Sequence, residues 1–184
     1  LAADGNAGMA ITVTHISAAT AALVWMTIEW VKHGKPTLVG IATGCIAGLA
    51  TITPASGFVG PSGALIIGLL AAIICYYMVG FVKNKLKIDD TLDVFAVHGV
   101  GGLLGILLCA PLGSKVFGGL GYSEVSILEQ LNVQIIASIA VAVWSGIASF
   151  IILIILKRTI GIRVSPEEEE AGLDVSSHSE SAYN

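Results

Sequence analysis

The stretch DDTLDVFAVHGVGGLLGILLCAP, residues 89–111, decides the fold class of this chain. Acidic residues lead into an apolar run, 94–111, in which His98 is the one side chain that can carry a positive charge. A helix needs roughly 20 mostly apolar residues to cross a hydrocarbon core about 30 Å thick, so this run is long enough to be a membrane span. Barrel strands would instead alternate apolar and polar residues over about ten positions. The stretch therefore predicts a transmembrane helix.

Four further apolar runs accompany this one, and together they predict five transmembrane helices. The predicted spans are 7–28, 38–58, 63–82, 94–111 and 133–156. Of the 184 residues, 55% are hydrophobic and 12% are charged, whereas an ordinary soluble domain carries about 25% charged residues. This composition excludes the soluble globular, disordered and coiled-coil classes. We predict an all-α membrane protein in the lipid bilayer, with a transmembrane region over residues 1–157 and a tail over residues 158–184.

The basic residues predict the direction of these spans. Eight of the nine Lys and Arg residues follow spans one, three or five, and Lys115 falls on the other side. Because cytoplasmic loops are enriched in Lys and Arg, we expect the N-terminus of the chain outside and the C-terminal tail in the cytoplasm. The net charge of −4 gives no basic footprint for nucleic acid. The isolated Cys45, Cys75 and Cys109 lack metal-ligand spacing, so we expect neither a metal nor a cofactor.

His98 is the main candidate for a functional residue. An ionisable group at membrane depth is costly and usually faces a bundle interior or a water path. Helical spacing places His98 on one predicted stripe with Val94, Gly101, Gly102 and Gly105. A neutral imidazole both donates and accepts a hydrogen bond, so His98 could hold a small polar solute or relay a proton. The alternative is a packing histidine that is hydrogen-bonded to a neighbouring helix.

Two aspartates open the same helix. Asp90 fits the N-cap and Asp93 the third helical position, where carboxylates interact favourably with the positive end of the helix dipole. We favour capping as the role of Asp90, whereas Asp93 could also draw cations to a cytoplasmic mouth. His15 lies in the middle of the first span, and there we expect a structural hydrogen bond rather than a role beside His98.

Small residues carry two further predictions. Gly40, Gly44 and Gly48 recur every four residues in the second span, which predicts that a neighbouring backbone approaches closely. In the tail, Ser165 with Glu168 three residues later predicts a capping box for a short helix that Gly172 ends. Docking of this helix on the protein's inner surface and a disordered tail both stay open.

Three stretches resemble one family of membrane proteins. They are DDTLDVFAVHGVGG at 89–102, GLATITPASGFVGPSGALIIG at 48–68 and RVSPEEEEAGLDVSSHSESAY at 163–183. They are similar to ammonium transporters, the Amt/Mep/Rh family, and the tail favours the Amt branch. The resemblance implies that the five spans are helices 7–11 of an eleven-helix subunit, built on an inverted five-helix repeat and assembled as a homotrimer. We therefore interpret the chain, which starts at Leu1 without a recognisable signal peptide, as a fragment comprising the C-terminal half of the subunit.

The resemblance also implies roles for individual residues. By it, His98 is one of two pore histidines, Val94 and Thr53 touch the pore, Asp93 and Thr43 border the cytoplasmic vestibule, and Asp90 is structural. The other pore histidine and the outer recruitment site belong to earlier helices of the family, which this chain lacks.

The implied activity is transport and not catalysis. NH4+ would be recruited outside, deprotonated, and passed as NH3 through an apolar pore lined by His98. The implied partners are ammonium or ammonia, further copies of the chain, and a PII-type signalling protein at the cytoplasmic face and tail. An ammonium sensor that signals through its tail is the alternative, and a channel for another small neutral solute is a third hypothesis.

Overall fold

The computed structural model describes residues 3–122 and 125–181, in which all regular secondary structure is helical. The long helices are α1 (Gly5–His33), α2 (Leu38–Ile52), α3 (Pro61–Gly80), α4 (Val100–Leu112) and α5 (Ile127–Thr159). Two π-helical segments flank the loop between α3 and α4: Phe81–Lys85 follows α3 and Phe95–Gly99 precedes α4. A 3-10 turn covers Lys115–Phe117. The tail contains α6 (Pro166–Ala171) and α7 (Leu173–His178). Positions 182–184 of the predicted tail lie outside the described residues.

Among the described residues, four helical stretches are long and apolar enough to cross a membrane, namely Gly5–His33, Pro61–Lys85, Phe95–Leu112 and Ile127–Thr159. The apolar helix α2 has only 15 residues and ends at Ile52, before the end of the predicted apolar span 38–58. Pro54 has no amide hydrogen and its ring clashes with the preceding turn. The chain continues in turns, where the amide of Ala55 donates a 2.8 Å hydrogen bond to the carbonyl of Ile52.

The helices α1, α2 and α3 meet around Ser17, a fully buried residue of α1. Its hydroxyl donates a 2.9 Å hydrogen bond to the carbonyl of Gly48 in α2. A Cβ added at Gly48, or at Gly68 in α3, would lie 2.5 Å from the Ser17 carbonyl oxygen, and one at Gly44 would lie 2.9 Å from the carbonyl oxygen of Ala21. The predicted close approach of a backbone to the α2 glycines is therefore confirmed at Gly44 and Gly48.

Residues 1–138 and 139–184 form two compact units, and the sequence of α5 spans the division between them. In the second unit, the Ser165 hydroxyl accepts a hydrogen bond from the Glu168 amide, and the Glu168 carboxylate accepts one from the Ser165 amide at 2.9 Å. The bond from the Ser165 amide lowers the pKa of Glu168 because it stabilises the charged carboxylate. The predicted capping box is confirmed, and Gly172 follows the last residue of α6. Docking of this helix stays a prediction.

Candidate functional site

Asp90 holds the start of the fourth span. Its carboxylate accepts hydrogen bonds from the amides of Val94 at 2.8 Å, Phe95 at 3.0 Å and Ala96 at 3.3 Å. The first amides of a helix have no partner within the helix, so one carboxylate satisfies three of these donors. Asp90 thereby fixes where the span begins, at the end that carries His98.

Asp93 occupies a different position from the one predicted. It lies immediately before the helical residues with φ of 57° in the left-handed region, and not at the third helical position. The Nζ atom of Lys83 lies 2.7 Å from the Oδ1 atom of the Asp93 carboxylate, so the two residues form an ion pair. The reversal of the chain before Val94 places Asp93 beside the end of α3, and the ion pair compensates its charge there.

The predicted single stripe of the fourth span is wrong. Gly101 and Gly105 are buried against α2. A Cβ at Gly101 would lie 2.8 Å from the hydroxyl oxygen of Thr51, and one at Gly105 would overlap the Thr51 carbonyl. His98, by contrast, is exposed. The two glycines therefore determine how the span packs, whereas the imidazole lies on another face.

A π-turn covers Phe95–Gly99, where the amide of Val100 donates a hydrogen bond to the carbonyl of Phe95, five residues earlier. Along the fourth span, residues four apart form neighbouring rows that differ in burial. The packed face consists of Ala96, Val97, Gly101 and Gly105, which are buried, and the open face consists of Val94, His98 and Gly102.

The open face presents a histidine without a protein partner. Within residues 3–122 and 125–181, His98 makes no hydrogen bond and no ion pair. Val94, one turn earlier, is 53% exposed. A neutral imidazole has one donor and one acceptor nitrogen, and the described residues use neither.

Thr43 and Asp93 are brought together at one cavity of about 440 Å³. Its walls also include Trp25, Glu29, Lys32 and Tyr76. The ammonium group of Lys32 lies 4.8 Å from the centre of the Tyr76 ring, a distance typical of a cation–π contact. His98, Val94 and Thr53 are not among the lining residues of this cavity. Thr53 is exposed directly after α2, and its hydroxyl donates to the Leu49 carbonyl at 2.6 Å.

His15 lacks the structural hydrogen bond that the sequence predicts. It is exposed on α1, and no hydrogen bond to it occurs in the part of the chain that the structure describes. The residues around it line an apolar groove with Cys45 and Leu49.

The sequence analysis did not predict the contacts between Glu29 and Thr37, two residues that line the cavity. The Glu29 carboxylate accepts hydrogen bonds from the amide and hydroxyl of Thr37, at 2.7 and 3.1 Å, and the Thr37 hydroxyl caps the amide of Gly40. A threonine just before an apolar run is an N-cap signal that could have been found. The Lys83–Asp93 pair had no comparable signal, because it depends on how the intervening loop folds back.

These features define a multi-pass helical membrane protein with an exposed histidine on an apolar span. The model of the Ammonium Transporter Family matches residues 1–183 of the chain. The chain belongs to this family.

Curated relatives agree with this assignment over the whole chain. An ammonium transporter of Aquifex aeolicus is 45% identical over 184 residues, which are 100% of this chain and 43% of the relative. Ammonium transporter Amt1 of Archaeoglobus fulgidus is 43% identical over 183 residues, which are 100% of this chain and 46% of the relative. The chain thus spans less than half the length of these curated relatives.

Solved structures share the fold. A structure titled Sensor Amt Protein matches with a TM-score of 0.84 at 33% identity, over 95% of this chain and 42% of that one. Candida albicans Mep2 matches with a TM-score of 0.76 at 35% identity, over 89% of this chain and 38% of that one.

Proposed function

We propose that this chain supplies five membrane-crossing segments, helices 7–11 of the family, to an eleven-helix ammonium transporter subunit that assembles as a homotrimer. Family membership and the names of the relatives support ammonium as the transported species. The short α2 and the turns that follow it would together make the second crossing. The distribution of basic residues favours an external N-terminus and a cytoplasmic tail.

The observation that carries this proposal is the placement of His98. Its imidazole lies exposed on an apolar span and has no partner in the described part of the chain. Because polar groups at membrane depth usually face a bundle interior or a pathway, we infer that the open face of the fourth span borders the route of the solute.

The physical task on this route is to avoid moving a charge through hydrocarbon. An ammonium ion at the bilayer centre costs several kcal/mol or more, on the order of a charged side chain there. In our proposal NH4+ gives up a proton before the apolar section, and NH3 crosses as a neutral molecule. Val94 supplies an apolar wall, and His98 donates or accepts the hydrogen bond that NH3 loses on leaving water.

The remaining predicted residues fall at the two ends of this route. Thr53 follows α2 and would touch the pore towards the outer side. Thr43 and Asp93 share the 440 Å³ cavity, which we assign to the cytoplasmic vestibule. Because Lys83 compensates the charge of Asp93, Asp93 borders this cavity as half of an ion pair. Asp90 serves structure by capping the fourth span.

The test is ammonium uptake by the full-length subunit that contains this chain, comparing His98→Ala with His15→Ala. Both histidines are exposed on apolar helices and lack partners in the described residues, so they are matched controls. We expect His98→Ala to reduce uptake by about tenfold or more, the equivalent of roughly 1.4 kcal/mol in the barrier, while His15→Ala retains it. Size-exclusion chromatography establishes that both variants assemble as the parent does. Full uptake by an assembled His98→Ala variant would contradict the proposal.

A second candidate function is ammonium sensing through the tail, with a PII-type protein as the partner. Two observations favour it, the capped helix α6 and the match to a structure titled Sensor Amt Protein. Transport with and without residues 164–184 separates the two functions. A pure sensor binds ammonium and fails to move it, whereas a transporter moves it in either form.

A further inference from the structure

The cavity that we assign to the cytoplasmic vestibule has two carboxylates in its walls, and other groups of the chain contact both of them. The Nζ atom of Lys83 lies 2.7 Å from the Oδ1 atom of Asp93. The Glu29 carboxylate accepts hydrogen bonds from the amide of Thr37 at 2.7 Å and from its hydroxyl at 3.1 Å. Each carboxylate at the cavity therefore already has a donor from the chain itself.

Two aromatic rings of the same cavity are also in contact with a cation. The ammonium group of Lys32 lies 4.8 Å from the ring centre of Tyr76 and 4.2 Å from that of Tyr77, and both rings line the cavity. Carboxylates and aromatic faces are groups that attract ammonium ions. Two lysine side chains thus place primary ammonium groups on groups that would otherwise hold a cation from solution.

The ion pair of Lys83 with Asp93 is open to exchange with such a cation. The two side chains are 38% and 20% exposed, so water and dissolved ions reach the pair. A lysine ammonium group and NH4+ both carry one positive charge and several N–H donors. A short flexible tether gives a linked group a local concentration of about millimolar, so Lys83 competes well with a dilute ion for the carboxylate.

We propose that Lys83 is a tethered competitor that keeps Asp93 from retaining the transported cation. This inference rests on the proposed function, in which NH3 reaches the cavity and is protonated again in water. The Oδ1 atom of Asp93 is buried, and no hydrogen bond of the described residues reaches it. Removing the Lys83 ammonium group would therefore leave a free carboxylate at the exit, where it would bind the ion that has to leave.

The experiment measures ammonium influx into proteoliposomes of the full-length subunit, with potassium chloride at equal concentration on both sides or with choline chloride in its place. K+ has the charge and nearly the size of NH4+ but cannot lose a proton, so it probes a free carboxylate. Equal concentrations prevent a diffusion potential and make the orientation of the protein immaterial. We expect K+ to slow influx about threefold to fivefold more in Lys83→Gln than in the parent, because partly exposed ion pairs change affinity by up to about that factor.

Three controls separate competition from a purely structural role of the ion pair. Lys85→Gln removes another exposed lysine of the same π-helical segment, and it should respond to K+ as the parent does. Asp93→Asn and the double variant Lys83→Gln/Asp93→Asn remove the carboxylate, and asparagine tolerates the left-handed backbone at this position, where φ is 57°. Both should also respond as the parent does, each ratio being taken within one variant so that differences in basal rate cancel.

A K+ response of Lys83→Gln equal to that of the parent overturns the inference, and so does an increased response that persists in the double variant. Lys83→Met also removes the charge and replaces Lys83→Gln if that variant does not assemble. The test is separate from that of the proposed function. Full uptake by His98→Ala contradicts the proposed route, whereas an unchanged K+ response contradicts only the role of Lys83.

Discussion

The packed and open faces of the fourth span differ although they share one short helix. On the packed face, Gly101 and Gly105 allow the span to touch Thr51 in α2. On the open face, His98 and Gly102 have no such neighbour in the described residues. The contacts of the packed face fix the position of the helix. The open face makes no such contacts in the described residues, and it carries the imidazole of His98. Glycine therefore allows close helix contact on one face and leaves open space on the other.

The largest expected effect comes from filling the packed face. Gly105→Val would drive a side chain into the Thr51 carbonyl, and overpacking of a tight contact costs about 3 kcal/mol. We expect a clear loss of stability of the detergent-solubilised full-length subunit, measured by thermal unfolding. The matched variant on the open face, Gly102→Val, should change stability by only about 0.5 kcal/mol. Equal losses in the two variants would remove the distinction between the faces.

A smaller effect is expected from the cap that holds both faces in place. Asp90→Ala leaves the amides of Val94, Phe95 and Ala96 without their acceptor, which costs about 2 kcal/mol. Asp90→Asn retains one acceptor oxygen and should lose about half as much. Thermal unfolding of the parent, Asp90→Asn and Asp90→Ala gives their order of stability. If Asp90→Ala is as stable as the parent, the cap does not anchor this span.

Much of the fold follows from the sequence because hydropathy and chain length act locally. The apolar runs predict α1, α3, the fourth span and α5, and the spacing of Gly44 and Gly48 predicts the close approach of a neighbouring backbone, which the structure identifies as that of α1. The end of α2 is marked by Pro54 and not by hydropathy, because the run 38–58 stays apolar beyond the last residue of the helix, Ile52. Composition alone does not register that interruption.

Individual residues of the site could be predicted from the sequence, but their arrangement in space could not. His98 stands out because it is polar within an apolar run, and Asp90 because it precedes one. The split between Gly101 and His98 was not predictable, since it depends on which row of the span packs against Thr51 of α2, and the sequence does not show which helices meet. The ion pair of Asp93 with Lys83 likewise depends on a chain reversal, in which Asp93 adopts φ of 57°.

The most direct test of the two faces uses cysteines placed at Val94 and at Val97. Val94 is 53% exposed on the open face, and Val97 is 2% exposed on the packed face. The parent is the full-length subunit with Cys45→Ala, since Cys75 and Cys109 are buried, and the parent treated with reagent is the control. We predict that a small water-soluble thiol reagent modifies Val94→Cys and blocks ammonium uptake, while Val97→Cys stays unmodified. Modification of Val97→Cys alone, or modified Val94→Cys with full uptake, would contradict the claim that the open face borders the pathway.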